Sequence, residues 1–234
     1  MEINRAFATT STLTVTPKII PLARPPLSGN CTSVWVTMAP VGTWLVDTTL
    51  METASDAWFA DIDGDGITDI PVGRIPAATP ADGAAVVAKL QAYAGVETGA
   101  RSVLLAADQP DTFDFPAAVA QLGGLVPPGV QTTTLIRPDS GNADLLAAID
   151  GQPTVVDYFG HGNVDSWAGA WLTSEDAASL ENASHPALFV SMTCLNGYFQ
   201  DASLESLAES LMKAKHGGAV AVWASPLRSV TSGT

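Results

Sequence analysis

Two residues of this chain could do nucleophilic chemistry together. His161 stands between Gly160 and Gly162 at the end of the run Thr154-Val155-Val156-Asp157-Tyr158-Phe159, and Cys194 closes the apolar run that begins at Ala187. A thiol is only a few per cent ionised at neutral pH, and an imidazole within reach makes it reactive by taking its proton or stabilising the thiolate. Singly, each residue has a plainer reading: a cysteine ending an apolar strand is more often a small buried hydrophobe, and a histidine beside glycine a turn residue. Position favours the pair. Each run reads as a buried parallel strand, and about 25 residues between them suffice for one right-handed βαβ crossover. Both residues then lie at the carboxyl ends of adjacent strands, where open α/β sheets bind their ligands.

The elements that must hold this pair follow from spacing. Thr79, Pro80 and Asp82 start a helix with Val86, Val87, Leu90 and Tyr93 on one face. Arg101 to Ala107 is a buried strand ending at Asp108, Phe113 to Leu122 a helix, and Thr132 to Ile136 a short strand. Asn142 caps a helix carrying Leu145, Leu146 and Ile149, and Thr173 or Ser174 caps another in the crossover that holds Trp167 and Trp171. A helical pattern from about Ser203 places Leu204, Leu207, Leu211 and Met212 on the core face and pairs Glu209 with Lys213 outside. Gly218 to Trp223 is the last strand. The alternation is βα throughout, so the fold class is α/β, a mostly parallel sheet flanked by helices in three layers.

Several blocks together resemble the gingipain-type cysteine peptidases, which have a caspase-like fold. They are Asp69-Ile70-Pro71-Val72-Gly73-Arg74, Tyr158-Phe159-Gly160-His161-Gly162, Trp167, Cys194-Leu195-Asn196-Gly197-Tyr198-Phe199, Leu207 to Met212 and Gly218 to Val222. The match covers roughly residues 40 to 225. The resemblance implies an endopeptidase in which Cys194 attacks the peptide carbonyl and His161 protonates the leaving amine. It also implies an oxyanion hole from the Gly162 and Cys194 amides, and an acid at Asp108 that orients the histidine. Phe159, Trp167 and Asp114 are the implied substrate contacts, with Asp111 or Asp114 selecting a basic side chain. The resemblance implies an extracellular or cell-surface location; Met1 to Arg5 lack the basic and then apolar plan of a signal peptide, so a fragment of a longer protein is expected.

Asp61-Ile62-Asp63-Gly64-Asp65-Gly66-Ile67-Thr68-Asp69 is a second candidate site. Carboxylates at alternate positions around glycines put several oxygens inside one turn, as calcium requires, so Asp61, Asp63, Asp65 and Asp69 are the expected ligands. Val72 stands where a full EF-hand has its glutamate, and an ion-free acidic turn is the alternative. Calcium is favoured because four crowded carboxylates repel one another unless a cation or proton joins them.

Composition bounds the rest. The 234 residues are 47% hydrophobic and 15% charged, which argues for a packed globule. A net charge of −14 makes nucleic acid and anionic lipid poor partners and cations better ones, while a protein or peptide substrate is what the resemblance implies. Two cysteines outside any CxxC pair disfavour redox and zinc-ribbon chemistry, leaving a Cys31 to Cys194 disulfide as the plain alternative. Zinc on His161, His185 and Cys194 lacks a fourth ligand, and no organic cofactor is implied. No run has the length of a membrane span. The expected organisation is an irregular or truncated segment over 1–40, the end of a first subdomain with the acidic loop over 41–100, and a caspase-like catalytic subdomain over 101–234 that is truncated at its carboxyl end. A non-catalytic, calcium-stabilised module on the same fold is the rival reading.

Overall fold

The structure is a computed structural model and describes residues 44–49, 51–94, 102–201 and 203–228. The reading of residues 1–40 and of Cys31 lies outside them. A short antiparallel hairpin, β1 (Leu45–Asp47) and β2 (Glu52–Ala54), precedes helices α1 (Ala57–Ala60) and α2 (Pro80–Ala94). Among the described residues, five parallel strands then form one sheet: β3 (Ser102–Ala107), β4 (Gln131–Ile136), β5 (Val155–Phe159), β6 (Ala187–Met192) and β7 (Ala219–Ala224), in the order β4-β3-β5-β6-β7. Between them run α3 (Phe115–Gly123), α4 (Asn142–Asp150), α5 (Ser174–Ser179) and α6 (Leu207–Lys213).

Side-chain alternation divides the sheet into two faces. Leu104, Ala106, Val156, Tyr158 and Phe189 pack with Leu145, Ile149, Leu180, Leu207 and Leu211, so α4, α5 and α6 cover one side. On the other, Leu105 and Ala107 meet Phe115 and Val119 of α3. Among the described residues α3 covers only the β3 and β5 end of that second face. The β6 run, expected to be buried on both sides, therefore leaves Leu188 36% and Met192 47% exposed, and Trp223 of β7 is 73% exposed.

Local signals decide the helix ends. Thr79 and Asp82 bond each other reciprocally at the start of α2 as expected. Further along the helix, Lys89 reaches the carbonyls of Met212 and Gly217 at 3.0 and 2.7 Å, which docks α2 on the end of α6. Thr173, rather than Ser174, caps α5 in a capping box with Asp176. Asn142 is the first helical residue of α4 rather than its cap, and its amide donates to the Trp171 carbonyl at 3.0 Å. Helix α6 starts later than its apolar pattern suggests, because Ser206 caps it with Glu209. Glu209 is thereby occupied, so Lys213 pairs with Glu205 at 2.8 Å, and Leu204 is left 43% exposed.

Candidate active site

The chain leaves β3 on one side to form β4 and returns on the other to form β5, so the loops after β3 and β5 part at the sheet's carboxyl edge. A crevice opens at such a switch point. Strands β5 and β6 are parallel neighbours with Phe159 opposite Met192. His161 and Cys194 each follow by the same number of residues, so both emerge at that edge on adjacent strands. This is the placement expected from spacing.

The His161 loop is held from beneath. Asp108, 1% exposed at the end of β3, accepts the His161 backbone N–H at 3.4 Å. Its other oxygen takes Arg137 Nε at 2.8 Å, Arg137 Nη2 at 2.6 Å and the Gln109 amide at 2.7 Å. The Tyr158 hydroxyl donates to the His161 carbonyl at 2.7 Å, and burial pushes its phenol up, so it remains a donor. Gly160 is needed because a Cβ there would run into that hydroxyl and sit 2.5 Å from Asp108 Cβ.

The imidazole has a different partner from the expected one. Asp111 Oδ2 lies 2.7 Å from His161 Nε2, while Asp108 holds only the backbone of that residue. The reason is topological: Asp108 is still in the plane of the sheet, and the loop beyond it bends over the crevice. Asp111 as a carboxylate can only accept, so Nε2 carries a hydrogen, and in the neutral imidazole Nδ1 is then the basic nitrogen. The Phe113 amide first, and His161 second, hold the Asp111 carboxyl below its usual range. The Phe115 ring edge fixes the imidazole's tilt, with centroids 5.1 Å apart.

Cys194 is half-buried. Leu195 after it has φ of 58°, a left-handed conformation that a branched side chain rarely takes. The turn is tied to the end of β7 and the chain beyond it: the Leu195 amide donates to Leu227 at 2.9 Å and the Gly197 amide to Ser225 at 3.0 Å. The Leu195 amide is thus committed and cannot serve an oxyanion. Beside His161, bonds from the Asn163 amide to Ser166 and from the Ala168 amide to His161 close a bridge around Gly162 and Trp167, leaving the Gly162 amide outside the hairpin's hydrogen bonds. A Cβ on Gly162 would strike the Thr193 side chain.

The remaining expected contacts are placed otherwise. Trp167 is 1% exposed and stacked on Tyr158 at 4.1 Å, so it forms the wall behind the histidine and cannot touch a substrate. Phe159 is half-buried against Phe113 and Phe115 on the α3 face. Asp114 caps α3, accepting the Ala117 amide at 3.0 Å. With Asp111 on His161 and Asp114 on its helix, neither residue supports the basic-side-chain selection that the resemblance implies. Arg137 was missed by sequence reasoning, although an arginine at a strand's carboxyl end in a chain with only ten lysines and arginines was a usable signal.

The acidic loop is a tight turn closed on itself. Asp61 accepts the Gly64 and Gly66 amides at 2.7 and 3.1 Å, and Asp69 accepts those of Ile62 and Asp63 at 2.6 and 3.3 Å. Asp61, Asp63 and Asp65 each present an oxygen within 4.8 Å of the others, as a hard cation requires. Asp69 stands outside that cluster, turned to the amides.

Residues 9–233 match the family model described as Peptidase family C25. The chain belongs to that family. Among solved structures, this C25 member is similar to the Arg-specific cysteine proteinase gingipain R, with 20% identity and a TM-score of 0.68. The match covers 76% of this chain and 45% of that one. It is also similar to a complex of RgpB pro- and mature domains from Porphyromonas gingivalis, with 18% identity, a TM-score of 0.67 and 76% and 46% coverage. A structure described only as a protease gives 19% identity, a TM-score of 0.63 and 73% and 39% coverage. These confirm the α/β fold, and the chain spans less than half the length of the structures it matches. No curated protein matches. Among the described residues no helix is long and apolar enough to cross a membrane.

Proposed function

We propose that this C25 chain is the catalytic part of a cysteine endopeptidase, with Cys194 as nucleophile and His161 as general acid and base. The parallel pairing of β5 with β6 supports this reading most directly, since it sets the two residues side by side at the switch-point edge. His161 Nδ1 takes the thiol proton, and Cys194 Sγ attacks the scissile carbonyl carbon. The oxyanion that forms is met by the Gly162 and Cys194 amides. Collapse breaks the C–N bond as His161 returns the proton to the leaving amine, leaving a thioester. Water, losing a proton to His161, then attacks the thioester and releases the acid product and the thiol. Asp111 keeps the imidazole in the tautomer that each step needs.

The substrate class is protein or peptide, and a secreted or cell-surface location goes with the gingipain resemblance. Calcium on Asp61, Asp63 and Asp65 is part of the same proposal: their oxygens gather only in the folded turn, so a bound ion stabilises the native state by mass action. Digestion of a peptide library by the full chain tests the reading. Cleavage that disappears in Cys194→Ala and in His161→Ala is the expected result. Cleavage by cleanly folded Cys194→Ala at the wild-type rate refutes it, and a wild-type chain that cleaves nothing and whose Cys194 resists alkylation favours a non-catalytic module.

A further inference from the structure

One buried side chain joins the two catalytic loops. Asn196 is 1% exposed and lies in the turn that follows the nucleophile. Its Nδ2 donates to the carbonyls of Asn163 at 2.5 Å and Ser166 at 3.2 Å, both in the loop that His161 opens. Its Oδ1 is buried and, among the described residues, accepts no hydrogen bond. A reversed amide would press that oxygen against two carbonyl oxygens, so the donor side alone orients it. The same two loops seat α6: the Asn196 carbonyl takes the Ala208 amide at 3.1 Å, and the Val164 carbonyl takes the Leu207 amide at 2.8 Å.

The strand ends beneath are joined by the Gly160 amide, which donates to the Met192 carbonyl at 3.4 Å, and above them the loops pass so closely that a Cβ on Gly162 would strike the Thr193 side chain, which limits approach without holding the loops together. The nucleophile turn contains Leu195 at φ of 58°, a conformation that persists only where its surroundings enforce it. We propose that Asn196 is a positioning residue, a hydrogen-bonded strut that sets the separation of Cys194 from His161. The proposal rests on the Cys-His reading above. Its two bonds run from the chain just after the nucleophile to the chain just after the base, so removing them lets the loops drift apart without touching either reacting group. A displacement of about 1 Å between reacting groups can cost about 100-fold in rate.

Iodoacetamide labelling of Cys194 in the folded full chain, read by mass spectrometry from about pH 5.5 to about pH 9, measures this directly, since an ordinary thiol labels rapidly only as it ionises near pH 8.5. Wild type is expected to label below neutral pH and His161→Ala to lose that acid-side labelling. Asn196→Ala should lower the rate near pH 6.5 about 10- to 100-fold and move its profile toward that of His161→Ala. Asn196→Ser, whose hydroxyl keeps one donor, should recover part of it. As a control for a merely structural effect, Asn182→Ala removes a buried amide bonded to Gly218 at 2.6 and 3.0 Å at the opposite edge of the sheet. It should lower the melting temperature and leave the labelling profile unchanged. A wild-type profile in Asn196→Ala overturns the strut while the dyad stands. If Asn196→Ala does not fold, Asn196→Leu, close in volume and without a donor, takes its place, and a wild-type profile there overturns the strut. Identical profiles for wild type and His161→Ala refute the dyad itself, and the strut falls with it.

Discussion

Asp157 lies in the strand that carries His161, and its replacement by asparagine should stabilise the protein at neutral pH. It sits on the α3 face of β5, level with Leu105 on one neighbouring strand and Val190 on the other. Its Oδ1 is buried without a hydrogen-bond partner among the described residues. Burial pushes its carboxyl from 3.8 up to about 6. At about 1.4 kcal/mol per unit that shift corresponds to about 3 kcal/mol against the ionised form, which solvent reaching this half-buried group screens to roughly 1–2 kcal/mol. The sign follows from linkage. Between 3.8 and about 6 the folded state binds more protons than the unfolded one, so wild-type stability falls as pH rises through that window. Below it both states carry the neutral acid and the penalty vanishes. Urea unfolding of wild type and Asp157→Asn should therefore coincide near pH 3.5 and diverge above, the variant gaining roughly 1–2 kcal/mol by pH 7.5 with an unchanged m-value. A difference that does not vary with pH, or a variant less stable than wild type at pH 7.5, refutes the reasoning.

Other expectations follow from the site. Asp111→Asn removes the carboxylate that fixes the imidazole tautomer, and should slow Cys194 alkylation at least 10-fold; because this pair is exposed, the melting temperature should scarcely move. Asp108→Ala strands Arg137 and releases the His161 amide, and a loss of about 3 kcal/mol by denaturant titration is expected, with catalysis failing alongside. Trp167→Ala should cost about 3–5 kcal/mol as a core truncation, whereas a surface subsite would have changed only KM for long peptides. Chelation should lower the melting temperature, and calcium at about 100 times its Kd should restore about 2.7 kcal/mol; an unchanged melt with and without excess calcium removes the ion.

What the sequence determined by itself was periodic or strictly local. Apolar runs of strand length, alternating with helical spacing, specified a parallel α/β sheet, although the second face of β6 and β7 is partly uncovered. His161 and Cys194 were legible because each closes a run, so counting residues along a crossover placed them at one edge. Thr79 as a helix start and the closed acidic turn were legible too, since their hydrogen bonds stay within a few residues. The partners across the crevice were decided only by tertiary structure. Asp108 and Asp111 are close in sequence and chemically identical, and only the bend of the loop after β3 turns Asp111 onto the imidazole and leaves Asp108 with Arg137. Trp167 looked available in a loop until the hairpin folded it onto Tyr158. Asn196 stood among the residues after the cysteine with no visible task, because its two acceptors are backbone carbonyls on another strand's loop, and a backbone carbonyl leaves no mark on residue identity.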